Sequence, residues 1–532
     1  MDPENLEHGR ELIETWFADG QMTKDAILQV LSSDAATSNM IFKETEIESL
    51  RAKFQEICAR GTDPSHLSED AFIAFLDSTG TIPAPDQDAS RIIYRSICYL
   101  SYFPFSSEFA DPISFEAFVR GFAWMDPERA QYMTISSNFT RSRSPADHRR
   151  LLFQSLAEID GKLAPFDEEF AFSEAHRRAF DFPDALEWYS AVDWASTNYD
   201  YDGDELYHDL LDILHSTHPR RDNPPLAPIH REAFRHLGKR LHDGDLKLYH
   251  LIIPRDRFKA LVKLLLSYGY ENSAAKADVE DWERSANNIT NAFVQKPEEG
   301  INWFMFDDTF MNVAPYLFKP LHRLISEAFL GADPSNKTSS YEQFKKAKSI
   351  LTPAIISQLT TIFYDTISLE DMIPVKHVHP RTEAASAKNL LEISSESIEE
   401  DSEGFIVIIS GQSNAAKEAF TFGCYSFQPW NDKESIQARD APQWVQCSLF
   451  QISPVHSFFP GKIGQPAWKF SDGGLQFGQS DQGAGITLGE DLRTALFTHN
   501  VLVNADTAFE AVEWKGDFSV EIEIDAIEIW RN

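Results

Sequence analysis

The chain has 532 residues, of which 42% are hydrophobic and 12% aromatic, so it is long enough for several domains with apolar cores. It carries 83 acidic residues against 48 Lys and Arg, which gives a formal net charge of -35 at pH 7. That charge repels DNA, RNA and anionic lipid headgroups, so it argues against a nucleic-acid-binding function.

Cysteine usage and hydropathy favour an intracellular protein. The four cysteines, Cys58, Cys98, Cys424 and Cys447, form no C-x-x-C pair, so neither a disulfide framework nor a zinc site is expected. The first residues are acidic where a secretory signal is basic, no apolar run approaches about eighteen residues, and residue 2 is not glycine. We expect a cytoplasmic protein with no integral membrane segment and no N-terminal myristoyl group.

The N-terminal part has the apolar spacing of helices. Apolar residues from Ile47 to Ile57 recur at helical spacing, and Ser68 is a candidate N-cap for a second helix. The same helix-loop-helix pattern recurs between residues 89 and 125. We therefore predict two EF-hand-like units within residues 1–150.

Neither of these loops has the full set of oxygen ligands that calcium needs at positions 1, 3, 5 and 12 of an EF-hand. Leu67 and Ile113 take the apolar eighth positions. The ligand positions are then occupied by Arg60, Thr62, Pro64 and Ala71 in the first loop and by Ser106, Glu108, Ala110 and Ala117 in the second. We predict helical interaction units that have lost the ion.

A third acidic segment has two interpretations. Asn198, Asp200, Asp202 and Asp209 stand at calcium-ligand positions 1, 3, 5 and 12 of a loop with glycine at position 6. Against calcium, position 8 is Glu205, where an apolar residue normally joins paired loops. A solvated acidic turn between two helices explains the same residues, so both interpretations stay open.

Helical segments continue towards residue 335, and small and turn-forming residues then mark a linker. Beyond it, Thr352 and Pro353 suit the N-cap and first position of another helix. We predict four parts, which are an EF-hand-like helical domain at 1–150, a helical extension at 151–335, a linker at 336–348 and a C-terminal domain at 349–532.

From residue 405 the apolar period changes to that of strands. FIVIIS, at 405–410, is an apolar run of strand length, and residues 518–524 alternate between apolar and polar. The alternation slips at Ala526, which predicts a bulge. We predict an α+β multidomain chain that is helical first and then largely antiparallel β, with one face of the sheet buried.

Six sequence motifs occur in the order of the TLDc domain. They are ILTPAIISQL at 350–359, FGCYSFQPW at 422–430, CSLFQISPV at 447–455, GGLQFG at 473–478, LGEDL at 488–492 and IEIW at 527–530. The chain from residue 349 onward therefore resembles that domain. With its EF-hand-like helical half, the chain resembles the fungal restriction-of-telomere-capping family and the animal mTOR-associated TLDc proteins.

The resemblance implies a β-sandwich flanked by helices, no established catalytic residues and no cofactor. It also implies binding to peripheral subunits of the vacuolar or lysosomal proton-pumping ATPase, with effects on pump assembly, and hence a peripheral location at the vacuole surface. The motif positions, most of them expected to be structural, are Gly423, Trp430, Phe450, Gly474, Phe477, Gly478, Asp491, Leu492, Glu528 and Trp530. The chain departs from the family after Leu492, where RTALFTHNV replaces a cysteine-containing stretch.

The glycine-rich segment 473–489 has a structural explanation. The spacing of Gly483, Gly485 and Gly489 is close to that of a nucleotide-binding loop. Such a loop, however, follows a parallel strand and opens a helix. Among antiparallel strands a tight turn explains these glycines better, because glycine permits positive φ and close backbone approach.

The leading hypothesis is a non-enzymatic regulator whose TLDc domain docks on the ATPase while the helical half modulates that docking. The alternative is an oxidation-resistance protein that uses Cys424 or Cys447, which requires a reactive thiol.

No nucleophile elbow is present in the sequence. His377-x-His379 has no nearby third ligand and is assigned to a surface loop. We therefore expect no enzyme, and a telomere-related role finds no support in the charge balance.

Overall fold

Among the residues that the structure describes, helices predominate up to Phe363 and strands after it, which confirms the α+β class predicted from the change in apolar spacing. The computed structural model describes residues 3–61, 63–79, 87–105, 111–134, 143, 145–159, 169, 173, 205–221, 229–242, 246–270, 278–294, 300–331, 349–364, 367, 369, 372–383, 385–390, 404–413, 415–426, 434–436, 447–462, 466–471, 474–479, 481–501, 507–512 and 515–531. No helix in these ranges has both the length and the apolar content needed to cross a membrane.

The chain divides into two units. Unit 1 comprises Met1–Leu261, Glu298–Asp307 and Leu321–Asp333, and unit 2 comprises Val262–Pro297, Asp308–Pro320 and Pro334–Asn532. Unit 2 thus includes segments that precede the predicted linker. The domain boundaries drawn along the sequence stay predictions, and the linker at 336–348 lies outside the described residues.

The described helices are α1 (Pro3–Ala18), α2 (Lys24–Thr37), α3 (Glu44–Cys58), α4 (Glu69–Thr79), α5 (Gln87–Tyr102), α6 (Phe115–Met125), α7 (Pro127–Ala130), α8 (Pro145–Leu156), α9 (Glu205–Thr217), α10 (Arg235–Leu241), α11 (Arg255–Gly269), α12 (Val279–Ala292), α13 (Trp303–Asn312), α14 (Lys319–Leu330) and α15 (Pro353–Phe363). Two predicted caps are confirmed. The Ser68 hydroxyl accepts from Ala71 N at 3.4 Å, and the Thr352 hydroxyl accepts from Ile355 N at 3.4 Å. Each cap satisfies one of the N–H groups that the first turn of a helix leaves without an intrahelical acceptor.

In unit 1, a short antiparallel bridge joins the loop between α3 and α4 to the loop between α5 and α6. Leu67 N donates to Ile113 O at 2.9 Å, and Ile113 N donates to Leu67 O at 3.0 Å. Both side chains are fully buried. The two helix-loop-helix pairs are thereby fastened at the apolar loop positions that the sequence predicts.

A buried arginine holds α2, α5 and α6 together. Arg120 donates from Nε to Ser101 O at 2.8 Å and from Nη1 to Leu28 O and to the Ser32 hydroxyl. Burial lowers the pKa of Arg120 to about 10, which leaves the guanidinium charged at neutral pH. Its hydrogen bonds replace the water that the charge has lost.

The strands are β1 (Glu158–Ile159) and β2 (Leu251–Ile252) in unit 1, then β3 (Ile373–Val378), β4 (Phe405–Ser413), β5 (Glu418–Ser426), β6 (Glu434–Ile436), β7 (Ser448–Ser453), β8 (Ser457–Pro460), β9 (Pro466–Ser471), β10 (Gly474–Gly478), β11 (Gly483–Leu488), β12 (Thr494–Asn500) and β13 (Phe518–Arg531) in unit 2. Strands β3 to β13 form one antiparallel sheet in the order β6-β9-β10-β11-β12-β13-β4-β5-β7-β8, and β3 also pairs with β13.

This single sheet folds over its own interior. Phe459 on β8 and Phe497 on β12 are five strands apart in the sheet order, which in a flat sheet would separate them by about 24 Å. Their ring centroids are 5.8 Å apart, and Phe422 on β5 also lies 5.2 Å from Phe497. The two layers of the predicted sandwich are therefore parts of one continuous sheet.

Strand β4 separates two apolar cores, as its unbroken apolar run predicts. Val407 and Ile409 belong to the core inside the folded sheet, and Ile406 and Ile408 belong to the core formed with α15. The predicted bulge is also present, because the register between β13 and β4 shifts between Ile524 and Ala526.

Strands β10 and β11 form a hairpin in which Gly478 pairs with Gly485. Gly474, at the start of β10, has a φ of +121°, and a Cβ added there would lie 2.0 Å from Leu488 O. Glycine is therefore required by the close approach of two strands, and this position confirms the structural explanation of the glycine-rich segment.

Gly474→Ala should destabilise the protein more than Gly516→Ala. Gly516 also has a positive φ, of +63°, but nothing lies within 4 Å of an added Cβ. Both substitutions incur a positive-φ penalty of about 1–2 kcal/mol, and only Gly474→Ala adds a collision that costs about another 1–3 kcal/mol. Thermal unfolding of the full chain measures the difference, and equal Tm values for the two variants would contradict it.

Candidate functional site

Glu528 on β13 is a buried carboxylate that binds the segment before α15. Its side chain accepts from the Ser349 hydroxyl at 3.0 and 3.1 Å, from Ile350 N at 2.8 Å and from Leu351 N at 3.3 Å. The residue is 1% exposed. These contacts tie the segment that begins at Ser349 to the last strand of the sheet.

Two further donors complete the surroundings of this carboxylate. His377 Nδ1 lies 2.9 Å from one oxygen and Trp530 Nε1 donates to the other at 3.1 Å. His377 lies on β3, so its assignment to a surface loop is wrong. The sequence missed this because the pairing of β3 with β13 joins residues far apart in the chain. With five donors around it, Glu528 is suited to fixing structure and has little capacity to act as a general base.

The rings of His377 and His379 are 4.3 Å apart at their centroids. His379 Nδ1 lies 3.2 Å from Asp525 O, where it can donate a hydrogen bond, and His377 Nδ1 lies against the Glu528 carboxylate. Within the described ranges, no three His, Cys, Asp or Glu side chains are grouped as a metal ion would require.

The other motif positions described by the structure lie in packed or turning backbone. A Cβ on Gly423 would lie 2.2 Å from Val407 O and 2.6 Å from the Phe450 ring. Leu492 is fully buried and has a φ of +57°. Phe450 and Phe477 are fully buried. Each of these residues is packed or shapes a turn, and the expectation that most motif positions are structural stays a prediction.

Two motif positions need separate mention. Asp491 is exposed, and its carboxylate accepts from Arg493 N at 3.1 Å. Trp430 lies outside the described residues.

The two cysteines of the redox alternative are buried thiols. Cys424 and Cys447 lie in the core inside the folded sheet. Cys424 Sγ donates to Tyr425 O at 3.4 Å, and Cys447 Sγ donates to the Ser426 hydroxyl at 3.4 Å. Burial raises the pKa of the Cys424 thiol well above its usual value, so the reactive thiolate is disfavoured at neutral pH.

Only one of the four predicted calcium ligands is described. Asp209 lies on α9 and is fully buried, 2.7 Å from Arg150 Nη2 and 3.4 Å from Arg143 Nη1. Burial raises the pKa of this carboxyl, but Arg150 and Arg143 outweigh that effect and lower it overall. Asp209 would have to leave both guanidinium groups to bind a cation. Asn198, Asp200 and Asp202 lie outside the described residues, so the calcium loop stays a prediction.

A buried histidine that sequence reasoning missed connects α12, α15 and the β7–β8 turn. Gln358 Nε2 donates to Ile452 O at 2.8 Å and lies 3.0 Å from His456 Nδ1. His456 Nε2 lies 3.3 Å from the Thr361 hydroxyl, and His456 N donates to Asn288 O at 2.9 Å. Because Gln358 presents an N–H to Nδ1, only the neutral imidazole fits.

Acid should destabilise the protein through His456. Burial, with a smaller contribution from Lys515, lowers the pKa of His456 from 6.5 to about 3. Between these values the unfolded chain binds the proton and the folded chain does not. The free energy of unfolding should therefore fall as pH falls from about 6.5 towards 3, by up to about 1.4 kcal/mol per pH unit.

Denaturant unfolding from neutral pH to about pH 4 measures this dependence. The matched variant is His456→Gln, which should be less stable at neutral pH and should lose less stability on acidification. Parallel pH profiles for the variant and the unaltered chain would contradict the assignment to His456.

Comparison with known proteins gives a match to the TLDc domain over residues 344–532. The chain is 23% identical over 423 residues to the restriction of telomere capping protein 5 of Aspergillus flavus, which covers 70% of this chain and 62% of that protein. The protein of the same name from Emericella nidulans is 25% identical over 410 residues, which cover 70% of this chain and 58% of that protein. The one from Pyricularia oryzae is 23% identical over 588 aligned positions, which cover 91% of this chain and 85% of that protein.

The match to the Aspergillus flavus protein thus spans less than two thirds of that protein's length. The chain carries a TLDc domain at residues 344–532 and, over much of its length, is similar to fungal restriction of telomere capping proteins 5.

Proposed function

We propose that this chain is a non-catalytic regulatory protein whose TLDc domain binds the peripheral sector of the vacuolar proton-pumping ATPase and influences its assembly. The observation that carries the proposal is the match of residues 344–532 to the TLDc domain, since resemblance to that family implies ATPase binding. The chain would then act in the cytoplasm and at the vacuole surface.

The hydrogen bonds and ion pairs of the buried polar groups support a binding function. Glu528 and His456 make hydrogen bonds to groups of unit 2, and Asp209 is paired with arginines of unit 1. Buried side chains with such partners stabilise the fold, so the exposed surface is the part of the protein that would recognise a partner. The formal net charge of -35 favours a partner surface that is basic or mixed in charge.

We propose that the N-terminal half is a pair of EF-hand-like units that modulates this binding without calcium in its first two loops. The bridge between Leu67 and Ile113 supports it, because paired EF-hands are joined at the apolar eighth position of each loop. The first loop, moreover, has Arg60 and Pro64 where a calcium loop needs oxygen ligands.

Direct binding to the purified peripheral sector tests the ATPase proposal. The full chain should bind it saturably, with an association rate that falls between low and high salt if charge steers the encounter. Glu528→Ala should abolish binding, because five hydrogen-bond donors lose their acceptor and the start of the TLDc domain is released.

Two control variants locate the interaction. Glu521→Gln changes an exposed carboxylate on the same strand and should leave the fold intact. Arg120→Met disturbs unit 1 and should leave the affinity of the TLDc domain within a few-fold. Absence of binding by the unaltered, folded chain would overturn the proposal, and binding lost only in Arg120→Met would assign it to the helical half.

Thiol labelling tests the oxidation-resistance alternative. In the native chain Cys424 and Cys447 should react slowly at neutral pH, because both are buried and the pKa of Cys424 is raised. In denaturant all four thiols should react at the rate of a free cysteine. Rapid labelling of Cys424 or Cys447 in the folded protein would favour the alternative.

A further inference from the structure

The side chain of Ser349 is held by one buried group. Its hydroxyl donates to both oxygens of Glu528, at 3.0 and 3.1 Å, and within the described residues it makes no other hydrogen bond. Glu528 is 1% exposed, whereas Ser349 is partly exposed. A chemical change at this hydroxyl therefore acts directly on the carboxylate that holds the start of the TLDc domain.

The two amides that follow Ser349 depend on the same carboxylate. Ile350 N donates to one oxygen of Glu528 at 2.8 Å, and Leu351 N donates to the other at 3.3 Å. Leu351 is buried in the core formed with α15. One negative charge thus sets the position of residues 349–351.

The surroundings of this carboxylate are poor in positive charge. His377 Nδ1 lies 2.9 Å from one oxygen, and the neutral indole of Trp530 donates to the other at 3.1 Å. Among the residues that the structure describes, no lysine or arginine forms an ion pair with Glu528. A second negative charge on Ser349 would therefore be repelled by the carboxylate.

The sequence that precedes Ser349 is basic. Lys345, Lys346 and Lys348 stand four, three and one residues before the serine, in a chain whose formal net charge is -35. All three lie outside the described residues, so this is a pattern of the sequence alone. Protein kinases select substrates partly by such charge patterns beside the residue that they modify.

We propose that Ser349 is a phosphorylation site, and that a phosphate on it detaches residues 349–351 from Glu528. The phosphoryl group comes from ATP through a protein kinase selective for basic residues. A bond forms between Ser349 Oγ and the γ-phosphorus, the bond from that phosphorus to the leaving oxygen of ADP breaks, and the hydroxyl proton passes to the catalytic base of the kinase.

The product differs from the serine in two ways. Ser349 has lost the O–H that donated to Glu528, and it has gained a charge of about -1.5 to -2 at pH 7. Both changes oppose the contact with the carboxylate. The proposal is independent of ATPase binding.

Hydrogen exchange of the full chain with phosphoserine installed at position 349 tests the structural step. Because Ile350 N and Leu351 N donate to Glu528, their exchange rates report whether the segment stays attached. Both amides should exchange at least about tenfold faster than in the unmodified chain, while the amides of β13 stay protected. Unchanged rates, or equal acceleration throughout β13, overturn the proposal.

Two controls separate charge from bulk. Ser349→Glu should accelerate exchange of the two amides at least about tenfold relative to Ser349→Gln, because the introduced side chains are similar in size and differ in charge. Phosphoserine at Ser519, an exposed residue on the same strand as Glu528, should leave the two rates unchanged. Equal exchange in Ser349→Glu and Ser349→Gln overturns the proposed repulsion.

Phosphate transfer to the folded full chain tests the site itself. With Mg·ATP and a purified protein kinase selective for basic residues, the chain should take up phosphate on Ser349, located by mass spectrometry. The double variant Lys345→Ala, Lys346→Ala should be modified at least about tenfold more slowly, because the kinase loses its charge contacts. No phosphate on Ser349, or an unchanged rate for the double variant, overturns the proposal.

Discussion

The buried carboxylate of Glu528 fixes the arrangement of the TLDc domain. Removing a carboxylate from water costs several kcal/mol, and the loss is offset only when hydrogen-bond donors replace the water. Here the donors come from the segment before α15, from β3 and from β13 itself. Strand β13 also pairs with β12, β3 and β4, so the register of three strands depends on its position.

A domain organised in this way uses its buried polar groups for its own structure. Glu528, Gln358 and His456 are committed to partners within unit 2, and the thiols of Cys424 and Cys447 are enclosed in the apolar core. Unit 1 follows the same pattern, because its charged groups Arg120 and Asp209 are compensated internally and Phe329 of α14 packs against the Phe118 ring of α6.

Several features could be predicted from short stretches of sequence. The caps at Ser68 and Thr352, the strand at 405–410 and the bulge near Ala526 are all present. Each depends on a pattern within a few residues, such as a hydroxyl before a helix or a break in the alternation of a strand. The error at His377 has the opposite origin, because its strand is defined only by pairing with β13, some 150 residues later in the chain.

The sequence by itself determined the order of helices and strands, the charge of the protein and the resemblance of its last third to the TLDc domain, because periodicity and local motifs are properties of neighbouring residues. Only the tertiary structure decided that one sheet folds into two layers, that Ser349 meets Glu528, and that Phe329 packs against Phe75 of α4 and Phe118 of α6. These contacts join residues far apart in the chain. They are selected by the shape and burial that all the elements create together, and no local pattern carries that information.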